Sequence, residues 1–167
     1  IMREYALKLD YIKPCTPEFL EKMKAFDDEL AQFITGKQQQ AAEGRVANTD
    51  NPAGLVNGTI DTNVGLLRAY MALYLRRHPF INKDLDLMVR TLAPTGNGLP
   101  VQIYCFSSNK NWPSYESIQA EIMEHFVSVL PVFELYAFQT ADARDTIISG
   151  LIESGKVDLS AVGGIPW

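Results

Sequence analysis

The sequence predicts an α+β domain in which helices cover one face of an antiparallel sheet. Three observations support this class. Short segments with apolar residues at every second position, typical of half-buried strands, occur near the start and in the second half of the chain. Longer segments with apolar residues at helical spacing lie between them, and turn-forming residues separate the segments. The 167 residues are enough for one domain with a buried core.

The chain begins with a predicted strand and a predicted helix. Tyr5, Leu7 and Leu9 alternate with more polar residues, and Pro14 ends this strand. Thr16 is a suitable helix cap with a proline after it, and apolar residues then recur at helical spacing as far as Gly36. The opposite face of this single helix carries charged residues that we expect to be solvated, among them Asp27, Asp28 and Glu29.

An insertion follows, and then a second helix. From Lys37 to about Thr59 the apolar periodicity is lost and Gln, Asn, Gly and Pro residues are frequent, which predicts an insertion loop over residues 36–60. Thr62 or Asn63 is the expected cap of the next helix. Its apolar stripe runs from Val64 to Leu75, and His78-Pro79 ends it.

The second half of the chain predicts a hairpin, a long helix and a last strand. Strands are expected over residues 86–92 and 101–106, joined by the turn Pro94–Gly98. Pro113 lies in the first turn of a helix that ends at Pro131, and residues 133–138 are the last predicted strand. The remaining residues, 142–167, are expected to form a short helix and a tail.

The predicted order over residues 1–141 is that of a ferredoxin-like sandwich, βαββαβ, with an inserted loop between two helices after the first strand. Because the chain opens directly on a strand pattern, and natural N-termini are usually loose, we expect it to be a piece of a longer protein.

Net charge, cysteine content and the length of apolar runs narrow the classes of function that the chain can have. The net charge of −5 argues against a general nucleic-acid binder, which needs an excess of lysine and arginine. The two cysteines, Cys15 and Cys105, have no metal or redox spacing, and sparse cysteine is typical of a reducing compartment. No apolar run approaches the roughly 20 residues that span a bilayer.

Each residue that could take part in catalysis, metal binding or ion conduction also has a structural explanation. His125 suggests a general base or metal ligand, but a helix-face histidine satisfied by a backbone or water partner is the better explanation. Glu121, at i, i+4, is a further partner for it on the helix surface. His78, which lies in a different element, does not supply a further ligand in phase. Arg76-Arg77-His78 complements the negative end of a helix dipole, and lining an ion path is a second interpretation.

The cysteines, glycines and serines do not indicate catalysis either. Cys105 lies in an apolar strand and is expected to be a small buried hydrophobe. Gly96-Asn97-Gly98 joins two strands instead of opening a helix, so it is not a phosphate loop. No residue pattern pairs a nucleophile with a base. We therefore predict no catalytic, cofactor-binding or metal-binding residues, no cofactor, and a protein that is not an enzyme.

Several short and uncommon sequence motifs of this chain occur in the same order as in the small-conductance mechanosensitive channel family. The chain resembles that family, most closely its miniconductance-type branch. The resemblance covers roughly residues 1–35 and 60–140. The motifs that carry it are Arg3–Leu9, Thr62–Tyr70, Tyr74–Pro79, Met88–Pro94, Gly98–Ser107, Trp112 and Tyr115–His125. The Lys37–Thr59 insertion has no counterpart in the smallest family members, and the tail from Asp142 to Trp167 matches no part of the family.

The resemblance implies a homo-oligomeric ring, commonly of seven subunits, whose pore helices lie in the bacterial inner membrane and are missing from this chain. The chain then corresponds to the cytoplasmic domain, which forms the vestibule and portals through which ions and osmolytes reach the pore in hypo-osmotic shock. Its implied partners are copies of itself and, through the missing part, the membrane, with no nucleic acid. The family has no catalytic residues to transfer.

Two alternatives remain open. A stand-alone ferredoxin-like module that senses a small ligand is the first, because such sandwiches often bind metabolites at sheet edges. An enzyme is the second, and a deep pocket that holds His125 with a carboxylate would favour it.

Overall fold

The computed structural model describes residues 1–44, 58–140 and 143–155. Three strands and five α-helices follow one another in this part of the chain. Short 3-10 turns occupy Leu9–Tyr11 and Leu130–Phe133. In chain order the elements are β1 (Met2–Leu7), α1 (Pro17–Phe26), α2 (Asp28–Ala42), α3 (Asn63–Arg77), β2 (Met88–Thr91), β3 (Leu99–Tyr104), α4 (Trp112–Val129) and α5 (Ala143–Glu153).

The three strands form an antiparallel sheet in the order β1-β3-β2. Tyr104 of β3 lies opposite Met2 on one side and Met88 on the other, so β3 is the central strand. The predicted α+β class is confirmed, and so is the predicted β2–β3 hairpin. The hairpin turn is closed by two backbone hydrogen bonds between Thr95 and Gly98, of 2.9 and 3.1 Å.

The strand predicted over residues 133–138 is not formed. Its first residue belongs to the 3-10 turn, and Glu134 has a left-handed backbone with φ of 58°. An extended ladder cannot pass through that conformation. One isolated bridge, Leu7 to Ala137, is what remains, flanked by a hydrogen bond of 2.9 Å from the Lys8 N–H to the Tyr136 carbonyl.

The single helix predicted up to Gly36 is two helices. Asp27 has an extended backbone, with φ of −150° and ψ of 132°, and it ends α1 and begins α2. Its carboxylate caps α2 by accepting from the Leu30 N–H at 2.9 Å, and it also accepts from Arg77 Nη1 at 3.0 Å. The expectation that Asp27 lies on a solvated helix face was therefore wrong.

The predicted loop also begins later than expected, because α2 continues to Ala42. Glutamine and alanine, which fill positions 38–42, both favour helix and do not need an apolar stripe to do so. The rest of the predicted insertion, residues 45–57, lies outside the described residues. The short helix expected after Asp142 is confirmed as α5, whereas residues 156–167 are outside the described part.

Helix α3 forms the centre of the core. Ten of its fifteen residues are buried, and it packs against β2, α2 and the Leu130–Phe133 turn. Its cap is Thr62, whose side chain accepts from the Gly65 N–H at 3.0 Å. Helix α4 buries Ile118, Ile122, Phe126 and Val129. Tyr5 of β1 meets α4 edge-on through Phe126, with ring centroids 5.3 Å apart, so α4 covers this face of the sheet.

Asn63, the other predicted cap, joins three segments inside the core. Its side chain is completely buried. The amide nitrogen donates to the carbonyls of Tyr11 and Phe133, at 2.9 and 3.0 Å, and the amide oxygen accepts from the Lys13 N–H at 3.0 Å. One side chain thus ties the start of α3 to the segment after β1 and to the turn after α4.

Within the described residues, none of the helices has both the length and the apolar character needed to cross a lipid bilayer.

Candidate functional site

The two histidines of the chain each contact a residue of the other's helix, His125 a tyrosine of α3 and His78 a glutamate of α4. Tyr70, Tyr74 and His78 follow one another at four-residue spacing along α3 and its cap, and Glu121 and His125 have the same spacing on α4. Residues four apart lie on one face of a helix. We call these five residues the histidine seam.

His125 is held on α3 by a hydrogen bond and by ring stacking. Its Nε2 lies 2.8 Å from the Tyr70 hydroxyl oxygen, and its ring stacks on Tyr74 with centroids 4.0 Å apart and planes 13° apart. Burial lowers the pKa of His125, the nearby Arg77 charge lowers it further, and the Glu121 carboxylate opposes them. The expected surface pair of Glu121 with His125 is thus secondary to contacts across the seam.

His78 is the less obvious member. It is only 5% exposed, and its Nδ1 accepts from the Phe80 N–H at 3.2 Å. Since an accepting nitrogen carries no proton, the neutral ring has its proton on Nε2. This Nε2 lies 3.5 Å from a Glu121 carboxylate oxygen and makes no hydrogen bond. The sequence signal that was missed is the four-residue spacing of Tyr70, Tyr74 and His78.

The seam offers two imidazoles and one carboxylate but no activated nucleophile. Burial raises the pKa of the Tyr70 and Tyr74 hydroxyls, and nearby carboxylates, Asp27 and Glu121 respectively, raise them further. Both hydroxyls are therefore protonated at neutral pH. Among the described residues no three histidine, cysteine or acidic side chains converge on a position where they could hold a metal ion.

Two surface depressions lie away from the seam. An apolar groove of about 220 Å³ lies where the chain runs past the edge of β1. We call it the Lys8 groove, and it is lined by Lys8, Tyr11, Val127, Leu130, Pro131, Leu135, Tyr136, Ala137 and Gln139. A second depression of about 340 Å³ lies at the start of α1 and includes Glu134. Neither is lined by His125.

Glu134 lines the second depression and forms ion pairs with two lysines that also line it. Its carboxylate contacts the ammonium groups of Lys13 and Lys22, the latter at 3.5 Å. The hydrogen bond from Lys13 lowers the pKa of Glu134, which therefore stays ionised. The two lysines are already neutralised in part, so the geometry does not indicate a free anion site here.

The Arg76-Arg77-His78 run has a structural role beyond the helix dipole. Arg77 reaches Asp27 at 3.0 Å and Glu29 at 3.7 Å, which joins the end of α3 to the start of α2. Arg76 is exposed. His78 belongs to the seam.

Neither cysteine lies in surroundings that activate its thiol. Cys105, which directly follows β3, is completely buried, as expected for a small apolar residue. Cys15 is half-buried. Burial raises the pKa of each thiol to about 11, and the Asp61 charge adds to the effect at Cys15. Neither thiol is an activated nucleophile, because a nucleophilic cysteine needs a lowered pKa.

We expect both thiols of the folded chain to react with iodoacetamide at pH 8 at least about a hundredfold more slowly than in the denatured chain. A thiol with a pKa near 11 has far less thiolate at pH 8 than an ordinary one with a pKa near 8.5. Mass spectrometry of the alkylated peptides, with and without denaturant, measures the two rates. Fast labelling of either residue in the folded chain would show an activated cysteine.

No known family model matches the chain, and no solved structure is significantly similar to it. The function is therefore inferred from the residues of this chain and their arrangement.

Proposed function

We propose that this chain is the cytoplasmic domain of a bacterial mechanosensitive ion channel of the small-conductance family. Its role is architectural. It helps to assemble a ring of identical subunits and to form the vestibule and portals that ions and osmolytes cross during hypo-osmotic shock. The observation that carries the proposal is the series of short motifs in residues 62–125 that resemble those of the channel family and occur in the same order.

The position of those motifs in the fold supports the proposal. Residues 62–79 form the central helix α3 with its cap and the turn into the next segment. Residues 88–107 contain the β2–β3 hairpin, and residues 112–125 belong to α4. The resemblance thus falls on the elements that build the core, where a shared sequence most directly reflects a shared packing arrangement.

A ferredoxin-like topology is part of the proposal. That topology places four antiparallel strands in the order 4-1-3-2, which matches the observed order β1-β3-β2. The segment that would be the fourth strand runs beside β1, where Ala137 bridges Leu7. It pairs at that one position, in place of a full strand.

The proposed setting is the cytoplasmic side of the inner membrane, with copies of the same chain as partners. The net charge of −5 would enrich cations near the portals. Salt screens this effect beyond about 8–10 Å at physiological ionic strength. No catalytic residue or cofactor is part of the proposal.

The test is electrical and physiological. The complete protein, expressed in a bacterial strain that lacks its own mechanosensitive channels, should restore survival of hypo-osmotic shock and give tension-activated currents in membrane patches. The same protein carrying Asn97→Ala, an exposed turn substitution, is the matched control and should behave like wild type. A coding sequence without apolar spans of about 20 residues before Ile1 would contradict the proposal, as would patches without tension-activated current.

The Lys8 groove favours a second candidate, a stand-alone module that senses a small ligand. Its lining residues are mostly apolar and include Lys8, a combination suited to a small molecule with an apolar body and an acidic group. A saturable rise in melting temperature with an amino acid or nucleotide, abolished by Lys8→Gln, would favour this candidate.

A further inference from the structure

We infer that the face of the sheet turned away from α3 and α4 is a docking surface for a second copy of this chain, related to the first by a two-fold axis along β3. We call it the open face. Its side chains come from Met2, Glu4 and Ala6 of β1, from Pro100, Gln102 and Tyr104 of β3, and from Met88 and Arg90 of β2. The inference goes beyond the proposed channel role, because a two-fold contact closes after two copies and is not the contact that builds a larger ring.

The two faces of the sheet differ in what covers them. Successive side chains of a strand point to opposite faces. Three residues that share one face of β2 and β3 are completely buried, namely Val89, Val101 and Ile103. Tyr5, opposite Val101 on β1, packs edge-on against Phe126 of α4. The helices therefore lie on this face, and the residues that alternate with these belong to the open face.

Apolar side chains are exposed on the open face. Met2, at its edge, is 60% exposed, and Met88 and Tyr104 are partly exposed. Phe106, two residues beyond Tyr104, is 36% exposed and meets the Tyr104 ring edge-on with centroids 5.4 Å apart, so it extends the same face. Neighbouring apolar side chains that are exposed beside polar ones are typical of a surface that another protein covers.

The strand register arranges the side chains of the open face in rows across the sheet. Two rows have a member on every strand, Met2-Tyr104-Met88 and Glu4-Gln102-Arg90. The first row has a methionine at both ends. The second has a carboxylate at one end and a guanidinium at the other, and neither forms an ion pair with another described residue. The open face thus carries opposite charges on its two outer strands.

A two-fold axis along β3 brings each row onto the same row of the second copy. It places β3 over β3, and β1 of one copy over β2 of the other. Met2 then faces Met88 of the second copy, and Glu4 faces Arg90 of the second copy, so that the contact contains this ion pair twice. Stacked sheets lie about 10 Å apart and cross at about 30°, a separation that opposed glutamate and arginine side chains span.

Arg90 is already held in place for this contact. Its Nε and Nη2 both donate to the Gln102 Oε1, at 2.9 and 2.7 Å, and Gln102 is only 6% exposed. A guanidinium fixed in this way loses less conformational freedom on binding than one on a mobile side chain. Its Nη1 takes no part in these two bonds and is the donor for the carboxylate of the second copy.

The charge pattern identifies the occupant as a second copy. A uniformly acidic or basic partner would meet a like charge at one edge of the open face, whereas a second copy meets an opposite charge at both edges. The footprint of the three strands is about 15 Å by 20 Å, which is well below the roughly 800 Å² that each partner buries in a standard interface. We therefore expect a weak dimer, with a dissociation constant of about 0.1 mM.

The test exchanges the charges at the two ends of the polar row. Sedimentation equilibrium of the wild-type chain from about 10 μM to 1 mM should show a monomer and a dimer. Glu4→Arg or Arg90→Glu alone sets like charges against each other twice and should weaken the dimer at least about tenfold. An equal mixture of the two variants should associate within about threefold of wild type, because opposite charges meet again. The double variant Glu4→Arg, Arg90→Glu should do the same.

Arg76→Glu is the matched control, since it makes the same charge change at an exposed position of α3 and should dimerise like wild type. A wild-type chain that stays monomeric at about 1 mM would overturn the inference. A dimer that neither single variant weakens would overturn it as well, and so would single variants that do not associate when mixed. If Arg90→Glu does not fold, because it loses the bonds to Gln102, then Glu4→Arg at its exposed position decides alone.

Discussion

Replacing Asn63 with alanine is expected to lower the free energy of unfolding by about 3–5 kcal/mol. The substitution removes three hydrogen bonds at once and leaves the Phe133 carbonyl inside the core without a partner. The Tyr11 carbonyl and the Lys13 N–H lose theirs as well. Each unsatisfied buried group costs about 1–3 kcal/mol. Equilibrium unfolding in urea, followed by circular dichroism, measures the loss.

Asn97→Ala is the matched control, since Asn97 is exposed in the hairpin turn and should change stability by less than about 0.5 kcal/mol. Asn63→Asp adds a finer comparison. It keeps an acceptor for Lys13 but replaces both donors with a buried charge, so it should be at least as damaging as alanine. A loss below about 1 kcal/mol for Asn63→Ala would mean that water or a local shift satisfies the three backbone groups.

Replacing Gly98 with alanine is expected to cost at least about 3 kcal/mol and to weaken the pairing of β1 with β3. The backbone of Gly98 has φ of +109°, which side chains rarely tolerate. A Cβ at this position would lie 2.1 Å from the Leu7 carbonyl oxygen, so the turn or the end of β1 has to move. Urea unfolding measures the cost, and hydrogen exchange of β1 measures the weakened pairing.

Gly96→Ala, two residues earlier in the same turn, is the control. Nothing lies within 4 Å of a Cβ built there, and its φ is outside the restricted range. We expect a change within about 0.5–1 kcal/mol, of either sign. If the two glycine variants are equally stable, the turn does not press against β1 and the close approach at Gly98 is not a constraint on the fold.

The elements that could be predicted are those whose signals are local. Helix α3 has a threonine cap, an apolar stripe and a proline beyond its end, and it forms as predicted. The hairpin has strand patterns on both sides of a glycine-rich turn, and it forms within two residues of the expected bounds. In both cases the same few consecutive residues contain the signal and make the contacts.

The wrong predictions concern positions whose conformation depends on a residue far away in the sequence. The apolar periodicity continues across Asp27, and the break there is stabilised by Arg77, fifty positions along the chain. Residues 133–138 do alternate in burial, but Glu134 turns the backbone and only Ala137 meets β1. The candidate site shows the same effect. The separation of His78 and His125 in sequence concealed that Glu121 lies beside the first and Tyr70 beside the second.

The register of the sheet has a consequence for the order in which the chain folds. Met2 pairs with Tyr104, so β1 has to wait for a partner about a hundred residues downstream, whereas β2 and β3 are joined by a seven-residue connection. Closing the longer loop costs more chain entropy, and contacts between distant residues slow folding. At a synthesis rate of about 5–20 residues per second, β1 is synthesised roughly 5–20 seconds before β3. During that interval its apolar side chains are without their partner strand, so the time between the synthesis of β1 and that of β3 is a stage at which this chain needs protection from aggregation.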